Sequence, residues 1–223
     1  SHIDDKNTTP TMGGIIIISS VLIATILWAD LSNHYILILL FGIVSFGLIG
    51  FYDDYKKLVR KNSDGIKGRF KFLLQIVFAS LITLFLFFYM ETGELASVVP
   101  FLKDNSLYFG VLFIPWSIFI LVGSSNAVNL TDGLDGLATV PVMLVALSFT
   151  LICYVTGNTV FSEYLHIPYI IDVGEAAIFC GAIVGSCLGF LWFNAPPAKI
   201  FMGDTGSLSL GGSLGAVSII SKH

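Results

Sequence analysis

Apolar residues run in blocks along this chain, and short polar stretches separate them. Seven blocks stand out, at 13–29, 35–52, 72–90, 107–123, 137–155, 176–193 and 207–221. Each approaches the roughly 17–25 residues that a membrane-spanning helix needs. None alternates with the period of a strand. Backbone groups in lipid are satisfied only in helices or closed barrels, so the blocks predict helices. The last block is the weakest, rich in Gly and Ser, and suits close helix packing. Pro115 and Pro141 interrupt two blocks and predict kinks. There is no internal repeat and no second domain, so residues 1–223 read as one integral-membrane domain.

Composition sharpens this picture. The 223 residues are 55% hydrophobic and only 12% charged, with a mean hydropathy of +0.88. A soluble domain is about 25% charged. The fold class is therefore all-α, a polytopic membrane protein. Cys153, Cys180 and Cys187 lie inside apolar blocks and read as small buried hydrophobes. His34 and His166 stand alone in short connections and read as surface residues. No Met opens the chain, which reads as an internal portion of something longer.

Charge placement sets the expected orientation. The stretch 53–71 carries Lys56, Lys57, Arg60, Lys61, Lys67, Arg69 and Lys71. The positive-inside rule puts it in the cytoplasm. Alternation then places 1–12, 124–135 and 194–205 on the same side. Nine of the eleven Lys and Arg fall inside, and only Lys103 and Lys222 fall outside. The unusual polar sequences all belong to those four cytoplasmic stretches. A membrane-face active site produces that segregation. A transporter or channel, the competing class, places its ionisable groups near the bilayer midplane instead.

Three acidic tracts carry the candidate chemistry. Asp53-Asp54-Tyr-Lys56-Lys57 follows directly on an apolar block. Adjacent carboxylates point to different sides of a helix, so one would approach a metal while the other holds a lysine or acts as a base. The plainer alternative is a charged helix end facing water. Nearby Lys71 could clamp a substrate phosphate or snorkel to lipid phosphates. The second tract is Asn126-Ala-Val-Asn-Leu-Thr-Asp-Gly-Leu-Asp-Gly-Leu-Ala138. Its Asn129, Asp132 and Asp135 recur every third residue and share one face if the stretch is helical; a hydrophilic loop is the alternative. The third is Asn194-Ala-Pro-Pro-Ala-Lys-Ile-Phe-Met-Gly-Asp204-Thr-Gly-Ser207. A Gly-Asp-Thr-Gly-Ser turn at a helix start offers free N–H groups to an anion and a carboxylate to Mg²⁺. The N-terminal Lys6-Asn-Thr-Thr-Pro-Thr-Met-Gly-Gly14 likewise puts Lys, hydroxyls and glycines at a helix entrance. No Ser-His-Asp order, P-loop, zinc ligand set or Rossmann fingerprint is present. Scattered acids with lysines and amides suit Mg²⁺-assisted phosphoryl transfer, in which a protein positions groups and neutralises charge.

On these residues the chain resembles the polyprenyl-phosphate N-acetylhexosamine-1-phosphate transferases. Thr9-Pro-Thr-Met-Gly-Gly14, Asp53-Asp54, Asn129–Ala138 and Phe201-Met-Gly-Asp204-Thr-Gly-Ser207 carry the likeness, which covers the whole chain. Each motif is moderately specific; four in order are strongly so. Thr-Pro-Thr-Met-Gly-Gly and Asn-x-Pro-Pro-Ala look like the muramoyl branch rather than the GlcNAc-1-phosphate branch. The resemblance implies a multi-pass protein of the bacterial cytoplasmic membrane with its site on the cytoplasmic face, often a homodimer. The implied reaction moves phospho-MurNAc-pentapeptide from UDP-MurNAc-pentapeptide to undecaprenyl phosphate with Mg²⁺, releasing UMP. No nucleic acid partner is expected. Asp204 resembles the metal ligand, with Asp132 a second candidate, and Asp53 resembles the base toward the lipid phosphate. Asp54, Asp132 and Asp135 match the remaining essential acids. Asn129, Asn194 and Phe201 match the nucleotide side, and Ser207 belongs with the substrate site. Lys6, Lys57 and Lys71 stand near phosphates or the metal-site carboxylates. Thr8 replaces a usual Gly. One N-terminal helix, about two C-terminal helices and a histidine-rich motif of the family fall outside this chain, and His223 does not replace that motif.

Overall fold

The computed structural model describes residues 9–60, 65–90, 96–98 and 106–222. The long helices are α1 (Gly14–Trp28), α2 (His34–Arg60), α3 (Gly68–Tyr89), α4 (Phe113–Thr131) and α5 (Thr139–Thr156). A short α6 (Thr159–Leu165) precedes α7 (Ala176–Asn194) and α8 (Gly203–Ile220). One antiparallel pair, β1 (Ala96–Val98) with β2 (Ser106–Tyr108), sits between α3 and α4. The block expected to be helical from residue 107 therefore begins as a strand, and its helix starts at Phe113. Otherwise the all-helical reading holds.

Counting the 3-10 turns Gly110–Leu112 and Val173–Glu175 that lead into α4 and α7, five helical segments are long and apolar enough to cross a membrane: 34–59, 68–89, 110–131, 139–156 and 173–194. The expected seven spans thus reduce to five among the described residues. Helix α1 has 15 residues. Helix α8 is long enough but is rich in Gly and Ser, and the reason is its position. It is buried over almost its whole length, packed chiefly against α2 and α4 and also against α1 and α5. It has no lipid to face, so it needs no apolar coat. Buried serine hydroxyls are satisfied within the helix: Ser209 donates to the Gly206 carbonyl at 2.8 Å and Ser213 to the Ser209 carbonyl at 2.7 Å.

Glycine at two positions lets this axis seat. A Cβ on Gly50 of α2 would lie 2.1 Å from the carbonyl oxygen of Asp204. A Cβ on Gly14 would lie 2.1 Å from the Gly206 nitrogen. These obstacles are backbone atoms, which cannot rotate aside. The chain before α1 is tied to the same place. Phe201 N–H donates to the Pro10 carbonyl at 2.9 Å, and Gly13 and Gly14 N–H donate to the carbonyls of Phe201 and Met202 at 2.8 and 2.9 Å. Two polar motifs nearly 190 residues apart in sequence thus form one entrance.

Pro115 and Pro141 both stand in the first turn of their helices. Little intrahelical bonding is lost there, so they mark helix starts rather than the expected kinks. At the opposite end of the bundle, Asn33 caps α2 by accepting from Tyr35 N–H at 2.8 Å, and it donates to the Asp172 carbonyl at 2.7 Å. His34 stacks on Tyr89 with ring centroids 4.5 Å apart. All three cysteines are buried and free. Between α3 and α4, Asn126 donates to Gln75 Oε1 at 2.8 Å, a polar tie inside the apolar bundle.

Candidate active site

The three acidic tracts meet around the first turn of α8. Helix α2 does not end at its acids: it continues to Arg60, so Asp53, Asp54 and Lys57 are helical rather than part of a connection. One turn separates Asp53 from Lys57, and their side chains pair at 2.7 Å. The Lys57 ammonium also reaches Asp204 Oδ2 at 2.8 Å, as does that of Lys71 from the first turn of α3. Asp53 Oδ1 accepts from the Ile66 N–H, tying the chain that leads into α3 back onto α2. Gly65 allows this, because a Cβ there would strike the Asp53 carboxylate and the Lys57 stem.

Asp54 faces the other way and is 5% exposed. Its Oδ2 accepts from the Thr205 N–H at 2.9 Å and the Thr205 hydroxyl at 2.7 Å, and its Oδ1 from the Asp204 N–H at 3.2 Å. The helix start that the sequence offers to an anion is therefore already met, and the anion is Asp54. Gly203, with φ +75°, makes the turn that brings these N–H groups onto the carboxylate. An aspartate at a helix N-terminus gains both the cap bonds and the helix dipole. Asp54→Ala is expected to lower stability by about 2 kcal/mol, the upper end of cap losses, in thermal unfolding. A loss below about 0.5 kcal/mol, the level of an uninvolved surface change, would contradict the capping role.

The second tract arrives from α4. Asn129 stands in its last full turn and donates to Asp204 Oδ1 at 2.7 Å and to the Ser207 hydroxyl at 2.9 Å. Ser207 in turn donates to the Gly203 carbonyl at 3.0 Å. The helix stops at Thr131, so the periodic face expected for Asn129, Asp132 and Asp135 is broken after its first member. Asp132 is the residue after the helix, and its carboxylate accepts from Gly203 N–H. Burial, then the neighbouring Asp204 and Asp54 charges, pushes the Asp132 carboxyl up to about 7. Burial opposes the charge of Asp204 as well, but contacts with Asp53, Lys57 and Lys71 win and hold that carboxyl well below the usual range.

The remaining residues stand further out. Asp135 accepts from Ala198 N–H at 3.1 Å, joining the loop after α4 to the loop before α8. Asn194 is 2% exposed; it accepts from the Thr139 hydroxyl at 2.9 Å and donates to the Ile200 carbonyl at 3.0 Å. Both polar ends of its side chain are therefore engaged within the protein. Phe201 contributes its backbone to the entrance described above. Lys6 and His223 lie outside the described residues. Thr205 and Gly65 carry structural roles that the sequence did not single out. Thr205 belongs to the Gly-Asp-Thr-Gly-Ser motif, whereas Gly65 had no signal at all.

Carboxylate oxygens of Asp53, Asp54 and Asp204 all lie within 4.8 Å of one another. This is an all-oxygen, hard-donor cluster of the kind that suits a divalent cation such as Mg²⁺. A family model described as glycosyl transferase family 4 matches residues 36–222, most of the chain. The chain belongs to glycosyl transferase family 4. Among its curated relatives, the phospho-N-acetylmuramoyl-pentapeptide-transferase of Pelagibacter ubique (strain HTCC1062) is 60% identical over 223 residues, all of this chain and 62% of the relative. A protein of the same name from Rickettsia bellii (strain RML369-C) is 56% identical over 218 residues, 98% of this chain and 60% of the relative. The chain thus spans about three-fifths of the length of the relatives it matches. The region shared with glycosyl transferase family 4 begins in α2 and includes every acid of the cluster.

Proposed function

We propose that the protein transfers phospho-MurNAc-pentapeptide from UDP-MurNAc-pentapeptide to undecaprenyl phosphate with Mg²⁺, releasing UMP and forming lipid I. The observation that carries this reading is the convergence of four carboxylates and two lysines around the start of α8, at one end of an apolar bundle. The relatives' names supply the substrate class. The positive-inside pattern supports a cytoplasmic location for that end of the bundle.

Asp204 would hold the metal, with Asp53 close enough to contribute and Asp132 a second candidate. Bound there, the metal would neutralise charge on the diphosphate. Both oxygens of Asp54 are engaged at the helix start, so its role in this reading is to fix Asp204. Lys57 and Lys71 bring positive charge to the same carboxylate and would meet substrate phosphates. The lipid phosphate oxygen attacks the sugar-side phosphorus and UMP leaves. A phosphate monoester with a second pKa near 6 is largely ionised at pH 7, so the nucleophile needs little activation. Asp53 then orients the lipid phosphate or takes its residual proton. Such catalysis is mainly positioning and charge neutralisation.

The test is UMP release from UDP-MurNAc-pentapeptide with added undecaprenyl phosphate and Mg²⁺, with UDP-GlcNAc in parallel. Release only from the muramoyl substrate is expected. Preference for UDP-GlcNAc would move the protein to the other branch, and a phospho-aspartyl intermediate would replace direct attack by a two-step route.

A further inference from the structure

The Lys57 ammonium pairs with two members of the carboxylate trio and stands at the edge of the third. It lies 2.7 Å from Asp53 Oδ2, 2.8 Å from Asp204 Oδ2 and 4.0 Å from Asp54 Oδ1. It therefore occupies the space in which the same oxygens would hold a divalent cation. Lys71 approaches from the side: it bonds Asp204 at 2.8 Å but stands 3.8 Å from Asp53. The two lysines also differ in freedom. The Lys57 side chain is 36% exposed and that of Lys71 15%. A unit positive charge and a divalent cation in contact with one carboxylate oxygen repel strongly, even in a partly polar medium.

We propose that Lys57 is a built-in cation that closes the carboxylate trio until a divalent metal displaces it. The long, half-exposed stem allows the ammonium to swing outward while its helix stays in place. Once displaced, the ammonium stands at the rim, where a diphosphate would meet it. Diphosphate binding then favours the open position, and the open position favours the metal. By linkage, each ligand strengthens the other. Lysine is suited to this role because its charge rides on a flexible stem, whereas an arginine fork would hold two carboxylates rigidly. The inference rests on the metal assignment made above.

The experiment measures Mn²⁺ binding to the full chain in lipid nanodiscs by titration calorimetry and by Mn²⁺ electron paramagnetic resonance, without nucleotide or lipid substrate. Lys57→Gln is expected to tighten Mn²⁺ binding about tenfold or more, because one competing unit charge is removed at contact distance. Lys57→Arg is expected to weaken it. Thermal unfolding of Lys57→Gln in EDTA should occur at lower temperature than that of the wild type, with added Mn²⁺ closing the gap. Asp204→Asn should abolish binding in both backgrounds. If Lys57→Gln binds Mn²⁺ no more tightly than the wild type while Asp204→Asn abolishes binding, the displacement model is wrong and the metal assignment survives. If Asp204→Asn binds Mn²⁺ as the wild type does, the metal assignment fails first.

Discussion

Asp204→Asn is expected to lower Mg²⁺-dependent UMP release by about two to three orders of magnitude, the loss typical when a pre-placed charge-stabilising group is removed. The substitution keeps the side chain's size and one acceptor oxygen. What it removes is the charge that gathers Lys57, Lys71 and Asn129 around one carboxylate. Without it, Asp53 is the carboxylate that both lysines still share, and the candidate metal site loses its central donor. The α8 cap made by Asp54 uses backbone N–H groups and stays intact, so thermal stability should change far less than activity. Turnover at the wild-type rate with Mg²⁺ would overturn the role assigned to Asp204.

The second large effect is expected from Gly50→Val. The Cβ alone would sit 2.1 Å from the Asp204 oxygen and 2.5 Å from the Thr205 nitrogen. Both are backbone atoms at the start of α8, so relief requires moving the helix as a body. Overpacking of this kind costs about 1–3 kcal/mol or more. The same movement would pull Asp204 off its lysines, so activity should be lost along with stability. Gly181→Ala on α7 is the matched control, since a Cβ there meets nothing within 4 Å. It removes a helix-interior glycine in open space and should be neutral or stabilising by up to about 1 kcal/mol. Thermal unfolding in detergent, read beside UMP release, separates the two. Equal behaviour of the two variants would show that α8 does not depend on close approach at Gly50.

The sequence made the helices and the acidic tracts legible because both are local patterns. Long apolar blocks announce helices, and charged residues beside them stand out. What it hid were roles fixed by other elements. Asp53 and Asp54 looked like the end of a helix, but α2 runs on to Arg60 and sends the two acids to different partners. The turn at Gly203–Ser207 looked like an open anion site, because the carboxylate that fills it lies 150 residues earlier. The resemblance assigned Asn194 to the nucleotide side, and no local pattern announced that Thr139 and Ile200 engage its two polar ends. Gly65 could not be found at all, since its importance comes from Asp53 and Lys57 lying against it. Helix α8 was the faintest block for the opposite reason: only the whole bundle shows that it faces protein on all sides.

That enclosure bears on how the protein is made. A segment so poor in Leu, Ile and Phe gains little by leaving the translocon for lipid on its own. Its favourable resting place exists only after α2 and α4, both synthesised earlier, have come together. Insertion of α8 is therefore expected to wait on the assembly of the helices before it, and damage to the slot between α2 and α4 should surface as a failure of biogenesis before it surfaces as a failure of chemistry.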